Sequence, residues 1–201
     1  PSLTILEDLT GAGKTEAALM LSHRLGKQVY FALPTMATSN AMHERVSGIY
    51  RSLFEGNPSL VLAHGARLLN ERFAGSLGRE YEEGERDAES FCAEWYANSI
   101  KTALLSDFGV GTIDQALLAC LPIPHQFLRL YGLFGKTLLV DEVHAYDDYM
   151  NELLIRLIRS HAQSGGNVIL LSATLPHATK QKMADAFSLG IQRKPPQLSE
   201  L

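Results

Sequence analysis

The sequence predicts an α/β fold, a mostly parallel sheet flanked by helices, and three observations carry that prediction. Short β-prone apolar runs alternate with stretches of helical periodicity, the pattern that parallel crossovers impose. A glycine-rich segment, Thr10-Gly11-Ala12-Gly13-Lys14-Thr15, stands between the apolar run Leu3 to Leu6 and the helical pattern Glu16 to Leu25. An acidic pair, Asp141-Glu142, closes the strongly β-prone run Lys136 to Val140, and in such sheets the loops at the strands' C-terminal ends are where ligands bind.

Strand, glycine loop and helix in that order are the context that makes a G-K-T a phosphate-binding P-loop. The glycines let consecutive backbone N–H groups turn inward around an anion, and the N-terminal end of the following helix adds a positive dipole. Lys14 supplies a point charge for the β- and γ-phosphates, and the Thr15 hydroxyl is a ligand for Mg²⁺. Thr10 through Glu16 is thus the candidate nucleotide-binding set. Asp8 and Leu9 stand where a Walker A sequence begins with a small residue, and an acid near a triphosphate is expected to weaken binding without abolishing it.

Composition is that of an ordinary globular chain: 201 residues, 46% hydrophobic and 20% charged, enough to bury a full core as one domain. A net charge of −4 gives no support to nucleic-acid binding through bulk charge, so any such contact must come from a local patch or from backbone and helix ends. Cys92 and Cys120 have no CxxC or Cys/His ligand spacing, which argues for a reducing, cytoplasmic setting and against structural zinc. No apolar run has membrane-spanning length, and no signal peptide is visible. The chain starts at Pro1, directly on the first strand, and is expected to be a segment of something longer.

In chain order, Gln28 to Leu33 is a second buried strand, closed by Pro34. Thr35 to Asn40 leads into an expected helix from Ala41 to Phe54, and Leu60 to Ala63 is a third strand. Residues 66–98 break the rhythm with a run of Glu, Arg and Gly, the composition of a solvated acidic insertion or loop. Trp95 and Tyr96 close it, as packing aromatics rather than base-stacking ones. Lys101 to Leu105 and Gly109 to Thr112 carry strand signals, and Ile113 to Leu121 is helical up to Pro122. After Asp141 and Glu142, Asp148 to His161 has Tyr149, Met150, Leu153, Leu154, Leu157 and Ile158 at helical spacing, a core stripe. Asn167 to Leu171 is the last strand. It delivers Ser172-Ala173-Thr174, a hydroxyl pair suited to sensing a γ-phosphate, before a short helix to Phe187 and a proline-containing tail.

In P-loop ATPases an Asp on a neighbouring strand holds the nucleotide's Mg²⁺, and an adjacent carboxylate can polarise the attacking water. Asp141 and Glu142 fit those roles. The motifs T-G-A-G-K-T, A-L-P-T-M-A-T-S-N-A-M, G-V-G-T-I-D-Q-A-L-L, L-V-D-E-V-H-A-Y-D and L-L-S-A-T-L-P follow the order of motifs I, Ia, Ic, II and III of superfamily 2 helicases. Their wording resembles the helicase part of the signature helicase-nuclease of type I CRISPR interference.

That resemblance implies a RecA-like P-loop NTPase domain, the first of two, belonging to an ATP-driven translocase on single-stranded DNA. An RNA-guided surveillance complex would recruit it. It implies Lys14 and Thr15 on phosphate and Mg²⁺, Asp141 on Mg²⁺, and Glu142 on the water. His144, Ser172 and Thr174 would couple hydrolysis to domain motion, and Pro34, Thr35, Gly111 and Thr112 would touch the nucleic-acid backbone, contacts that do not read sequence. The domain is expected over residues 1–190, with 191–201 a linker towards a second helicase domain. The His-Asp dipeptide of the family's nuclease centre and the Gln-x-x-Gly-Arg-x-x-Arg motif that supplies an arginine finger do not occur in the chain. A finger contributes roughly three to five orders of magnitude in rate, so the segment alone is expected to bind ATP·Mg²⁺ weakly, hydrolyse it slowly and unwind nothing. Two other readings of the residues stay open: the motor domain of another superfamily 2 enzyme acting on RNA, and a scaffold with a vestigial P-loop.

Overall fold

The structure, a computed structural model, describes residues 1–9, 11–35, 60–63, 102–124 and 126–192. Leu3–Glu7 (β1), Val29–Leu33 (β2), Leu60–Ala63 (β3), Phe108–Thr112 (β4), Thr137–Val140 (β5) and Asn167–Ser172 (β6) form one sheet in the order β1-β6-β5-β2-β4-β3. Every pairing is parallel. Lys14–Arg24 (α1), Ile113–Leu117 (α2), Gln126–Leu133 (α3), Asp148–Gln163 (α4) and His177–Gly190 (α5) are the described α-helices. This is the α/β architecture that the alternation of patterns predicts.

Burial explains why the strands read as unbroken apolar runs. Each residue of β2, β4, β5 and β6 is buried, because helices cover both faces and neither face has to be polar. β1, at the edge of the described sheet, is only half-buried until Glu7, which is exposed. In α4, Leu153, Leu154, Leu157, Ile158, His161 and Ala162 are the buried stripe. Its first turn is capped by Asp147, whose Oδ1 accepts from the Met150 N–H at 2.7 Å. α4 packs against α5 so closely that a Cβ on Gly190 would stand 2.5 Å from the Arg159 carbonyl oxygen. Glycine is required there for approach, not for torsion.

Three parts of the fold differ from the sequence expectation, and the first is Tyr149, expected in the core stripe of α4 but exposed. Thr102–Leu105 is a 3-10 turn, not a strand. Lys136, almost wholly buried, donates its ammonium to the carbonyls of Leu104, at 2.6 Å, and Ser106. Carbonyls drawn onto a cation are withdrawn from a strand ladder, so β4 begins only at Phe108. The helix α3, with Phe127, Tyr131 and Phe134 exposed on and just beyond it, was not anticipated. The expected helix 41–54, the insertion 66–98 with Trp95 and Tyr96, Cys92, Thr10 and residues 193–201 lie outside the described residues.

At the strands' N-terminal edge, His161 is 3% exposed and its Nε2 donates to the Lys136 carbonyl at 2.9 Å. Gly166 lies against the ring, where a Cβ would come within 2.2 Å of Nε2. Burial pushes the imidazole down from 6.5 to about 4. The unfolded chain therefore takes up the proton first. Stability is full above pH 6.5 and declines as pH falls towards 4, by about 3 kcal/mol over the interval. Urea unfolding between pH 7 and pH 4.5 is expected to show this decline, and His161→Asn is expected to flatten it; equal slopes in the two proteins would contradict this account.

Candidate nucleotide site at the carboxyl edge of the sheet

Three neighbouring strands deliver the site. β1 runs into the glycine loop, β6 into Ser172-Ala173-Thr174 and β5 into Asp141-Glu142. Because β6 pairs with both of the others, with Glu7 opposite Ser172 and Val140 opposite Leu170, motifs far apart in sequence emerge side by side.

In the loop, Gly11 and Gly13 have φ of 86° and 85°, the left-handed region that glycine enters without steric cost. A Cβ at either would meet nothing within 4 Å, so torsion alone demands glycine. Gly13 caps α1 without a side-chain hydrogen bond, which leaves the helix's positive end to an anion. Lys14 folds back on the loop: its Nζ donates to the carbonyls of Asp8 at 2.6 Å and Leu9 at 2.8 Å. Ala12 N–H closes the turn on the Leu9 carbonyl at 3.2 Å. The Asp8 carboxylate accepts from the Leu9 N–H at 2.7 Å, so the unusual acid shapes the loop's entry turn. Thr15 and Glu16, partly exposed, complete the first turn of α1.

Asp141 continues the sheet, its N–H donating to the Ala32 carbonyl at 3.0 Å. Its Oδ1 accepts from the Glu142 N–H at 2.9 Å. Burial raises the Asp141 carboxyl above its ordinary range, against the lowering effect of that hydrogen bond and of nearby Lys14. Glu142 has φ of 53°, an uncommon torsion for a non-glycine residue at a functional turn. Behind the turn stands Tyr146, 7% exposed, whose hydroxyl donates to the Asp141 carbonyl at 2.9 Å. Burial raises the phenol and keeps it protonated for that bond.

His144 joins the acidic turn to the end of β6. Its Nδ1 accepts from the Ala173 N–H at 3.2 Å and lies 3.3 Å from Ser172 Oγ. An amide can only donate, so the ring proton sits on Nε2, 3.1 Å from Glu142 Oε2. Ser172 Oγ donates to the Thr174 carbonyl at 2.9 Å. Thr174 itself is exposed and enters this web through its backbone.

Pro34 and Thr35 follow β2, next to the end of β4, where Leu33 pairs with Thr112. Thr35 is exposed, whereas Gly111 and Thr112 are buried and the Thr112 carbonyl accepts from the Tyr30 hydroxyl at 3.2 Å. The nucleotide candidates and these four thus occupy different stretches of one edge. Sequence reasoning missed Tyr146 and Glu7. Tyr146 lies inside the quoted acidic motif and had no role assigned; a polar residue ending an apolar strand just before a phosphate loop was the one signal for Glu7. Among the described residues, no group of three or more His, Cys, Asp or Glu is placed to hold a metal ion, and no helix is long and apolar enough to cross a membrane. Burial raises the Cys120 thiol to about 11, which makes it a poor nucleophile.

Glycine loop, acidic turn and hydroxyl strand end on one parallel sheet define a RecA-like P-loop domain. No family model matches the chain. It is 45% identical over 195 residues to the CRISPR-associated endonuclease/helicase Cas3 of Escherichia coli, a match covering 94% of this chain and 22% of that protein. To its counterpart of the same name from Thermus thermophilus it is 40% identical, with 94% and 21% covered. Among solved structures, T. fusca Cas3 with ADP superposes with a TM-score of 0.83 at 38% identity, over all of this chain and 22% of the other, and the same protein with ATP gives 0.78 at 35%, over all of this chain and 22% of that one. A chain of a CRISPR RNA-guided surveillance complex before nicking gives 0.66 at 34%, over all of this chain and 19% of the other. Nearly the whole chain is thus homologous to one segment of these Cas3 helicase-nucleases, and it spans about a fifth of the length of the curated relatives it matches.

Replacing Tyr146 by Phe removes the donor to the Asp141 carbonyl at a buried position. Urea unfolding is expected to report a loss of about 1–2 kcal/mol with an unchanged m-value.

Proposed function

We propose that this chain is the first RecA-like, ATP-binding motor domain of a longer protein, an ATP-dependent single-stranded-DNA translocase and helicase acting in type I CRISPR interference. The observation that carries the reading is the convergence of Lys14, Asp141 and Glu142 beyond the ends of β1 and β5, the strands on either side of β6, with His144 linking the acidic turn to Ser172. In this reading the Lys14 ammonium exchanges its two loop carbonyls for phosphate oxygens, with the N–H groups of Gly11 and Gly13 and of the first turn of α1 around them.

The residues fit a divalent cation of the magnesium kind. Thr15 offers a hydroxyl and Asp141 a carboxylate with one oxygen not used by the Glu142 N–H, hard oxygen donors of the type Mg²⁺ takes alongside phosphates. A burial-raised carboxyl such as Asp141 is also one that gains most from a nearby positive charge. Such an ion, held by Thr15 and Asp141, would supply positive charge against the phosphates. Glu142 orients the attacking water, and His144, donating to it, holds that carboxylate while reaching the strand end at Ser172. Pro34, Thr35, Gly111 and Thr112 lie along the stretch of the edge that would meet the DNA backbone.

A second helicase domain, a nuclease domain and an RNA-guided surveillance complex are the partners this reading requires, and a reducing cytoplasm is in keeping with the free Cys120. Without the arginine-bearing second domain, hydrolysis is slow. Calorimetry with ATP·Mg²⁺ tests the core of the reading: this chain is expected to bind, and Lys14→Ala to lose roughly tenfold or more in affinity. Absence of binding in both proteins would transfer the chain to the scaffold class.

A further inference from the structure

The strand that leads into the glycine loop ends on Glu7, paired in register with Ser172. Both of its carboxylate oxygens cross to the segment that follows β6. Oε1 accepts from the Leu175 N–H at 2.6 Å, and Oε2 meets the Lys180 ammonium of α5 at 2.8 Å. Leu175 is buried. We propose that Glu7 is a positioning residue which, by fixing the Ser172–Leu175 segment, sets the tautomer and orientation of His144 towards Glu142.

The link runs along four residues of backbone, Ser172 to Leu175. At one end Ser172 is held in the β6 ladder; at the other the Leu175 amide is held by Glu7. Ala173 lies between, and its N–H is the donor to His144 Nδ1 at 3.2 Å. While that donor stays in place, Nδ1 must accept and Nε2 must carry the proton that faces Glu142. Glu7 touches neither His144 nor Glu142. A carboxylate on the phosphate-loop strand thereby governs a proton on the acidic turn two strands away, as residues behind a functional histidine do elsewhere.

The plainer account is a surface ion pair, which contributes little; the side chains of Lys180 and Glu7 are 27% and 31% exposed. The two accounts assign the work to different halves of the carboxylate. In ours the bond to the Leu175 amide matters and the Lys180 contact is dispensable. Glu7→Gln, which keeps an acceptor oxygen, should therefore behave as the parent, as should Lys180→Gln, whereas Glu7→Ala should not.

The test is imidazole nitrogen NMR on the labelled 201-residue chain, with the His144 signals assigned through His144→Gln. The parent, Glu7→Gln and Lys180→Gln are expected to show His144 in the Nε2–H form alone, and Glu7→Ala a mixture of both tautomers. Glu7→Met, with the same reach and no acceptor, gives the same answer should the alanine variant unfold. The inference rests on Glu142 serving the attacking water, so single-turnover ATP hydrolysis in Glu7→Ala should fall by roughly tenfold at unchanged ATP affinity. An unaltered His144 tautomer in Glu7→Ala would overturn the proposal. So would a mixture in Lys180→Gln, or an ATP affinity in Glu7→Ala as low as that of Lys14→Ala. If the parent chain binds no ATP, the functional reading fails while the tautomer still decides the role of Glu7.

Discussion

The position of β6 between β1 and β5 is the constraint on which the site depends. Hydrogen-bond ladders on both of its edges fix the heights at which the neighbouring strands end, and every residue of its sequence Asn167-Val168-Ile169-Leu170-Leu171-Ser172 is buried. Two inter-strand spacings put the ends of β1 and β5 roughly 10 Å apart. The end of β6 lies in that interval, and Ser172 and Ala173 are the groups that reach across it to His144. A change in how β6 packs would alter the separation of lysine and carboxylates before it touched either.

The two carboxylates of the acidic turn are made unlike by their surroundings. Asp141 is buried against the sheet, bonded to the backbone that follows it and raised by desolvation. Glu142, on a left-handed residue, projects to a position about a third exposed, where His144 meets it. Adjacent in sequence, they cannot exchange roles: one is a fixed group in the sheet's shadow, the other a group with access to water.

Much of this was legible in the residues because the causes are local. Gly11 and Gly13 signal their torsions by being glycine, and β2, β5 and β6 signal two-sided burial by lacking polar alternation. Lys14 and Asp141 come together as soon as the strands are taken as parallel, although their distance apart in sequence says nothing of it. What escaped was set by contacts between side chains and distant backbone. Leu104 is apolar and reads as strand, yet Lys136, more than thirty positions later, takes its carbonyl. Tyr146 and Glu7 act on the carbonyl of Asp141 and the amide of Leu175, groups that every residue possesses and no composition betrays. α3 is short, and its exposed aromatics blur the amphipathic pattern that would have announced it.

The close crossing at Gly190 also governs how the edge can move. α4 starts a few residues beyond the acidic turn, and α5 starts just after the Ser172–Leu175 segment, so each helix is a rod attached to one site loop. At their far ends the rods meet where Gly190, which has no side chain, lies against the Arg159 carbonyl and the Ala162 methyl. The acidic turn and the β6 segment are therefore geared: one cannot swing without carrying the other.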